Sequence, residues 1–345
     1  MADAKRAFIT GITGQDGSYL AELLLSQGYE VHGMVRRTST DSLVRIPPQI
    51  LPQVTLHWGS MHDAAALARI LKLVQPDEIY NLAAQSHVGI SFDCPVETTE
   101  INYHGLGRLV HAVLESTPSA RIYQASTSEM FGSTAPPQNE RSEMAPVSPY
   151  AIAKLRAYED YVVGYRARHG LHISSGILFN HESPRRGREF VTRKIALALA
   201  AIKLGLQHHL ELGNLRAQRD WGYAKDYVEA MYLMVQKEVP ADFVIGTGES
   251  HTVKEFVDAA AQALDLSLFW EGEQENEVAR DAAGIVRVRV SSQFYRPAEV
   301  HALRADPSKA GAELGWHPKT SFSELVEMMV RSDYDALSGE SQKRY

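Results

Sequence analysis

A single cysteine, Cys94, stands among 345 residues, so the chain can neither close an internal disulfide nor offer a cysteine pair to a metal. That points to a reducing compartment, read as the cytoplasm. No stretch reaches the roughly 18 uninterrupted apolar residues of a membrane-spanning helix. The charged opening Met1-Ala2-Asp3-Ala4-Lys5-Arg6 does not read as a signal peptide either, and no membrane partner is expected. A basic surplus is also missing. The 35 Lys and Arg against 42 Asp and Glu leave a net charge of −7, the wrong sign for a protein whose affinity rests on neutralising nucleic-acid phosphates. No nucleic acid is therefore expected, and any anionic ligand must be met by local clusters. Internal repeats and low-complexity segments are absent. With 44% apolar and 22% charged residues, 24 Gly and 15 Pro, the composition is globular, and at about 150 residues per domain the length suits two.

What is present alternates. Ala7-Phe8-Ile9-Thr10 is an apolar run that meets glycines at Gly11, Gly14 and Gly17, behind which Tyr19, Leu20, Leu23 and Leu24 recur at helical spacing. Further strands are predicted at 30–35, 54–58, 78–82, 121–125 and 173–178, with helices over 64–74 and from Tyr150 to near Gly170. Strands alternating with helices imply an α/β fold with a doubly wound parallel sheet. This domain is expected over 1–180. A smaller α/β substrate domain follows over 181–337, with some segments returning to the first, and 338–345 is a polar tail expected to fray. In the second half, helices are expected near 191–204, 227–236 and 252–264, and 271–284 reads as an exposed loop.

Gly11-x-x-Gly14-x-x-Gly17 between a strand and a helix puts backbone N–H groups and a helix N-terminus where they can hold a pyrophosphate and where a Cβ would obstruct the approach. The plain alternative is a tight turn. The second strand ends in Arg36-Arg37, where a site for NAD would place an acid on the ribose 2′-hydroxyl. Guanidinium groups suit a 2′-phosphate, hence NADP, unless both arginines simply sit in solvent. Tyr150-x-x-x-Lys154 sets phenol and ammonium on one face of a helix. Phenolate chemistry at neutral pH needs the phenol lowered by roughly three units, about 4 kcal/mol, which a lysine and an oxidised nicotinamide can supply together; a surface pair is the alternative. Ala125-Ser126-Thr127-Ser128-Glu129 brings polar groups to the carboxyl edge of the sheet, where open α/β folds bind ligands. Glu129 there is either a helix cap or a general acid/base. His181-Glu182 invites a metal, but no second histidine follows at ligand spacing and the 14 histidines are scattered, so none is expected.

Gly11-Ile12-Thr13-Gly14-Gln15-Asp16-Gly17-Ser18-Tyr19-Leu20, Asn81-Leu82-Ala83-Ala84-Gln85-Ser86 and Tyr150-x-x-x-Lys154 together resemble the extended short-chain dehydrogenase/reductase superfamily, which implies a Rossmann-type sheet. Asn180-His181-Glu182-Ser183-Pro184-Arg185-Arg186-Gly187, Phe190-Val191-Thr192-Arg193-Lys194, Arg219-Asp220-Trp221-Gly222 and Tyr295-Arg296-Pro297-Ala298-Glu299-Val300 are similar to its GDP-mannose 4,6-dehydratases, over about Phe8 to Val330. The resemblance implies a retained NADP beside Gly11, Thr13, Gly14, Gln15, Asp16, Gly17, Arg36, Arg37, Leu82, Ala83, Ala84, Ser86, Tyr150, Lys154, His181 and Arg186. It implies GDP-mannose as substrate, held by Ser86, Thr127, Asn180, Val191, Lys194, Arg219, Arg296 and Glu299, and a catalytic set of Thr127, Glu129, Tyr150 and Lys154. In that reading Tyr150 takes the C4 hydroxyl proton as hydride leaves C4. Glu129 removes the C5 proton, water leaves C6, the hydride returns to C6 and C5 is reprotonated. Thr127 bonds the C4 oxygen, while Lys154 holds the ribose and tunes Tyr150. A homo-oligomer, tetramer or dimer, is implied through the segment from Arg36 to Arg45. Ser60, Glu97 and His301 depart from the family pattern, where Asp, Tyr and Asp are usual, which touches cofactor affinity and fine substrate choice. Three rivals differ in what they require. A 4-epimerase or 4-reductase needs no acid at Glu129, a dehydratase of another GDP-manno sugar such as a heptose shares the whole pattern, and a non-catalytic NADP sensor would show an eroded catalytic set.

Overall fold

The computed structural model describes residues 4–39, 42–295, 300 and 302–342. At its centre lie seven strands: β1 (Arg6–Thr10), β2 (Glu30–Val35), β3 (Val54–Trp58), β4 (Glu78–Asn81), β5 (Arg121–Thr127), β6 (Ile173–Leu178) and a last strand, Asp242–Ile245. They run parallel in the order Asp242–Ile245, β6, β5, β4, β1, β2, β3. Strands buried on both faces need apolar side chains on both, which is why they read as short continuous runs rather than as alternation. Ile9, Tyr80 and Tyr123 turn to one face, against α1 (Gln15–Ser26) and the helix Ala224–Gln236. Phe8, Ile79 and Ile122 turn to the other, against α2 (Ala64–Val74) and the helix Gly105–Ser116. This is the Rossmann-type doubly wound fold, and its strand order reverses between β1 and β4, opening a crevice at their carboxyl ends.

A second core gathers the helices Val191–Lys203, Val253–Ala263 and Phe322–Gln342. Within it the buried Trp221 stacks on Phe322 at 6.2 Å between ring centroids and meets Phe256 edge-on at 5.4 Å, contacts contributing about 0.5–1.5 kcal/mol each beyond area burial. A four-stranded sheet borders this core, in the order Phe269–Glu271, Val278–Arg280, Val286–Val290, Leu210–Leu212. Most of the exposed loop expected over 271–284 is exposed, but within it Val278–Arg280 forms a strand paired antiparallel with its neighbours, where Ala279 and Val288 face each other inward. The polar tail expected from 338 is likewise part of a helix that continues to Gln342. Among the described residues, no helix is long and apolar enough to cross a membrane.

Asp220 fastens the two cores. Fully buried, its Oδ1 accepts from the Thr247 backbone N–H and hydroxyl at 2.8 and 2.7 Å, and its Oδ2 from the Gly248 and Ala305 N–H groups at 2.9 and 3.0 Å. An amide in its place would turn an N–H₂ toward N–H donors. Asp220→Asn is therefore expected to lower unfolding stability by at least about 2 kcal/mol; an unchanged midpoint in chemical denaturation would contradict this clasp.

Candidate active site

At Gly11 the chain leaves β1 with φ +73°, and a Cβ there would sit 2.8 Å from the Ala83 nitrogen. One at Gly17 would sit 2.3 Å from the Gly11 carbonyl oxygen. Only glycine lets the turn fold this closely onto the β4 exit, and Gly14 then caps α1 with its own N–H bonded to Gly11 at 2.9 Å. The first-turn N–H groups of α1 are left facing a cleft of about 1190 Å³. A cradle of this form fits the pyrophosphate of a nicotinamide dinucleotide.

The cleft collects residues from distant parts of the chain. Gly11, Thr13, Gly14, Gln15, Asp16 and Gly17 line it together with Arg36 at the end of β2, and Leu82, Ala83, Ala84 and Ser86 after β4. Thr127, Glu129, Tyr150 and Lys154 line its floor. Asn180, His181, Arg186, Val191, Lys194 and Arg219 line the wall from the second core. Arg37 is exposed and does not line the cleft. Arg296, Glu299 and His301 lie outside the described residues.

Local chemistry places the floor. Ser148 caps a helix, Pro149–Ala157, by accepting from the Ala151 N–H at 3.1 Å, and Pro149 occupies its first turn. Tyr150 and Lys154 follow one turn apart, both buried. Thr127 ends β5, and its hydroxyl accepts from the Glu129 N–H at 3.2 Å, holding the buried Glu129 at the strand exit. Burial pushes the Tyr150 phenol up to about 12, with the Thr127 hydroxyl opposing and the Glu129 carboxylate adding to the rise. Burial pulls Lys154 down to about 8. Its ammonium donates to the Ala125 carbonyl at 2.8 Å and stands 5.9 Å from the Tyr150 ring centroid. The expected lowering of the phenol by Lys154 is thus not a property of the chain alone: burial dominates the phenol, and the lysine is turned to the backbone.

On the opposite wall, Arg186 lies 3.6 Å from the Phe190 ring centroid and 3.1 Å from the buried Glu182 carboxylate, which also accepts from the Thr192 hydroxyl at 2.6 Å. Glu182 is therefore a structural anchor for Arg186. Arg219 is buried and donates to the Val300 carbonyl at 2.7 Å. Lys194 stands 3.3 Å from the Phe294 ring centroid, and its ammonium is drawn down by burial. His87 and Phe294 also line the cleft but went unremarked in the sequence, and Asn214, which lines it too, read only as part of a glycine-containing break. They come from connecting segments, where no periodicity marks a residue's direction.

A family model described as GDP-mannose 4,6 dehydratase matches residues 8–329. The GDP-mannose 4,6 dehydratase 2 of Caenorhabditis elegans is 50% identical over 342 residues, covering 96% of this chain and 89% of that protein. The GDP-mannose 4,6 dehydratase of Homo sapiens is 50% identical over 342 residues, covering 96% and 92%. Among solved structures, the UDP-glucose 4-epimerase of Thermus thermophilus in complex with NAD has a TM-score of 0.79 at 25% identity, covering 96% of this chain and 99% of that one. With that match over nearly all its length and half its residues shared with such relatives, the chain belongs to the GDP-mannose 4,6-dehydratase family.

Proposed function

We propose that the protein dehydrates GDP-D-mannose to GDP-4-keto-6-deoxy-D-mannose, using a retained NADP held at the glycine turn with Arg36 toward the 2′-phosphate. Glu129 carries this reading: a buried carboxylate in the cleft, bonded through its N–H to Thr127 and near enough to Tyr150 to raise its phenol. Epimerisation or reduction at C4 needs only the phenol and ammonium, whereas elimination across C5 and C6 needs a carboxylate. NADP, when bound, would supply the hydride acceptor for oxidation at C4 and the hydride donor for reduction at C6. Tyr150 takes the C4 hydroxyl proton. Burial keeps the phenol protonated in the chain alone, so proton loss belongs to the loaded site, where added positive charge favours phenolate. Thr127 bonds the C4 oxygen and Lys154 the ribose. Once C4 is a ketone, C5 is acidic; Glu129 accepts its proton and, as the acid, protonates the departing C6 hydroxyl, and after hydride is added at C6 a proton returns to C5 to complete the 4-keto-6-deoxy sugar. Arg219, Lys194, Asn180 and Val191, with Arg296 and Glu299, hold GDP, and His181 and Arg186 lie by the cofactor. The protein works as a dimer or tetramer. Val44, 71% exposed on the segment from Arg36 to Arg45, is the apolar side chain that a neighbouring copy would cover.

Glu129→Gln is expected to bind GDP-mannose and still pass some hydride from C4, but to lose at least about 10²-fold in turnover and to take up no C5 deuterium from D₂O. Tyr150→Phe should suppress the first hydride transfer, so that no reduced cofactor appears. Cofactor absorbance and C5 exchange followed in one sample separate the two, and a Glu129→Gln enzyme within a few-fold of the parent would reduce Glu129 to a cap. Arg36→Ala should weaken NADP about tenfold or more, in line with a charge-assisted hydrogen bond, and NAD much less; equal losses in a binding titration would remove the 2′-phosphate role. Light scattering should find a dimer or tetramer at micromolar concentration, and a fully active monomer would overturn the assembly.

A further inference from the structure

The segment leaving β6 passes beneath the glycine turn, and its contacts there specify a protonation state. His181 Nδ1 lies 2.8 Å from the Phe179 carbonyl oxygen, and Nε2 lies 2.8 Å from Asp16 Oδ2. A carbonyl oxygen only accepts, so Nδ1 carries a proton. A neutral imidazole has one N–H, which would leave Nε2 bare against a carboxyl oxygen. The contact therefore needs a second proton, on the ring or on the acid.

Two features put it on the ring. Asp16 Oδ1 accepts from Gln15 Nε2 at 3.0 Å, a hydrogen bond that is stronger to a carboxylate than to a neutral acid. Asp16 also stands in the first turn of α1, where the helix favours an anion. Burial opposes charge on Asp16, but the His181 cation and its hydrogen bond, with Gln15 and Arg186, outweigh it and hold the carboxyl below its usual range. Burial likewise opposes charge on His181, and Asp16 outweighs it, holding the imidazole above its usual range despite Arg186.

We propose that Asp16 and His181 form a carboxylate–imidazolium pair that keeps the pyrophosphate end of the cleft free of an uncompensated negative charge, making His181 a positioning residue for the dinucleotide. The proposal rests on the reading that the glycine turn holds that dinucleotide. Asp16 shares the helix terminus at which a pyrophosphate binds, so a bare carboxylate there repels the ligand. Neutralised by the imidazolium, it instead fixes the turn to the opposite wall. The other groups around the pair are accounted for. Arg186 and Glu182 belong to the same segment as His181, and Tyr227 stacks on its ring at 4.7 Å from the helix Ala224–Gln236. Asp220 and Asp226 act on Tyr227, and Tyr123 and Tyr150 lie within the field of Asp16. Because the folded imidazole titrates above its usual value, the pair is intact at lower pH and is lost as pH rises through that raised value, leaving the carboxylate alone.

The test uses the full chain with ¹⁵N-labelled histidine, its ring nitrogens followed by NMR from mildly acidic to alkaline pH, beside NADP titrations over the same range. His181 is assigned by the signal missing in His181→Gln or, should that variant not fold, by the signal that moves in Asp16→Asn. Both His181 nitrogens should be protonated at neutral pH, and NADP affinity should fall about tenfold as they lose the second proton. Asp16→Asn should return a singly protonated ring at neutral pH and flatten that fall. A singly protonated ring in the parent, or the same affinity profile in both proteins, would overturn the proposal. A parent that bound no dinucleotide would overturn the reading of the glycine turn and this proposal with it. Binding with no pH difference overturns this proposal alone, and neither readout needs GDP-mannose to turn over.

Discussion

Thr10 and Asn81, at the carboxyl ends of β1 and β4, and Gln124, midway along β5, stand in register, each almost fully buried. Hydrogen bonds pass along them without a gap. Thr10 Oγ1 donates to Asn81 Oδ1 at 2.6 Å, Asn81 Nδ2 to Gln124 Oε1 at 2.7 Å, and Gln124 Nε2 to the Ala125 carbonyl at 2.8 Å, the oxygen that also takes the Lys154 ammonium. A buried polar group without a partner costs about 1–3 kcal/mol, so a strand slipped by one residue would strand several at once. This row ties the parallel register to the lysine of the cleft. Thr10 Oγ1 also accepts from the Leu82 and Ala83 N–H groups, both at 3.2 Å, drawing the β4 exit against Gly11. The closeness at the glycine turn and the direction of Lys154 have the same origin.

Charge in the cleft follows a second constraint. A chain of net charge −7 brings Arg36, Arg186, Lys194 and Arg219 to one hollow, the local clustering that its composition demanded of any anion-binding site. Several of these cations are braced: Arg186 by Glu182 and the Phe190 ring, Arg219 by a backbone carbonyl. Burial meanwhile shifts Tyr150 up and Lys154 down, each toward its neutral form. The floor is thus a low-dielectric place in which a charge arriving with a ligand acts at short range and with little screening.

Much of this was legible from the residues. The six early strands announce themselves as apolar runs, the glycine spacing falls between a strand and a helix, and Tyr150 and Lys154 sit at helical spacing. The illegible parts depend on tertiary distance or on solvent. Asp16 and His181 meet across 165 positions of chain, and no spacing rule reaches that far. The direction of the Tyr150 shift depends on how deeply the phenol is buried, a property of packing rather than of the pair. The pairing of Phe269–Glu271 with Val278–Arg280 looked like a loop because only alternate residues of its short strands turn inward. Arg36 and Arg37 are indistinguishable in sequence, yet only Arg36 lines the cleft, since consecutive side chains leaving a strand diverge.

The strand Asp242–Ile245 completes the central sheet beside β6, yet the helix Val191–Lys203 and the strand Leu210–Leu212 of the second core lie between the two in sequence. On the ribosome, the edge of β6 stays unpaired until that intervening stretch has emerged, and the helix Phe322–Gln342 follows later still. Non-local closure of this kind is slow and exposes strand edges while it waits. The halves also cannot be separated by one cut: a fragment ending near residue 180 lacks its edge strand, and a fragment beginning there carries a strand with no sheet to join. Expression as two complementary pieces should need both present during folding, and the cleft between them forms only when the chain has crossed it for the last time.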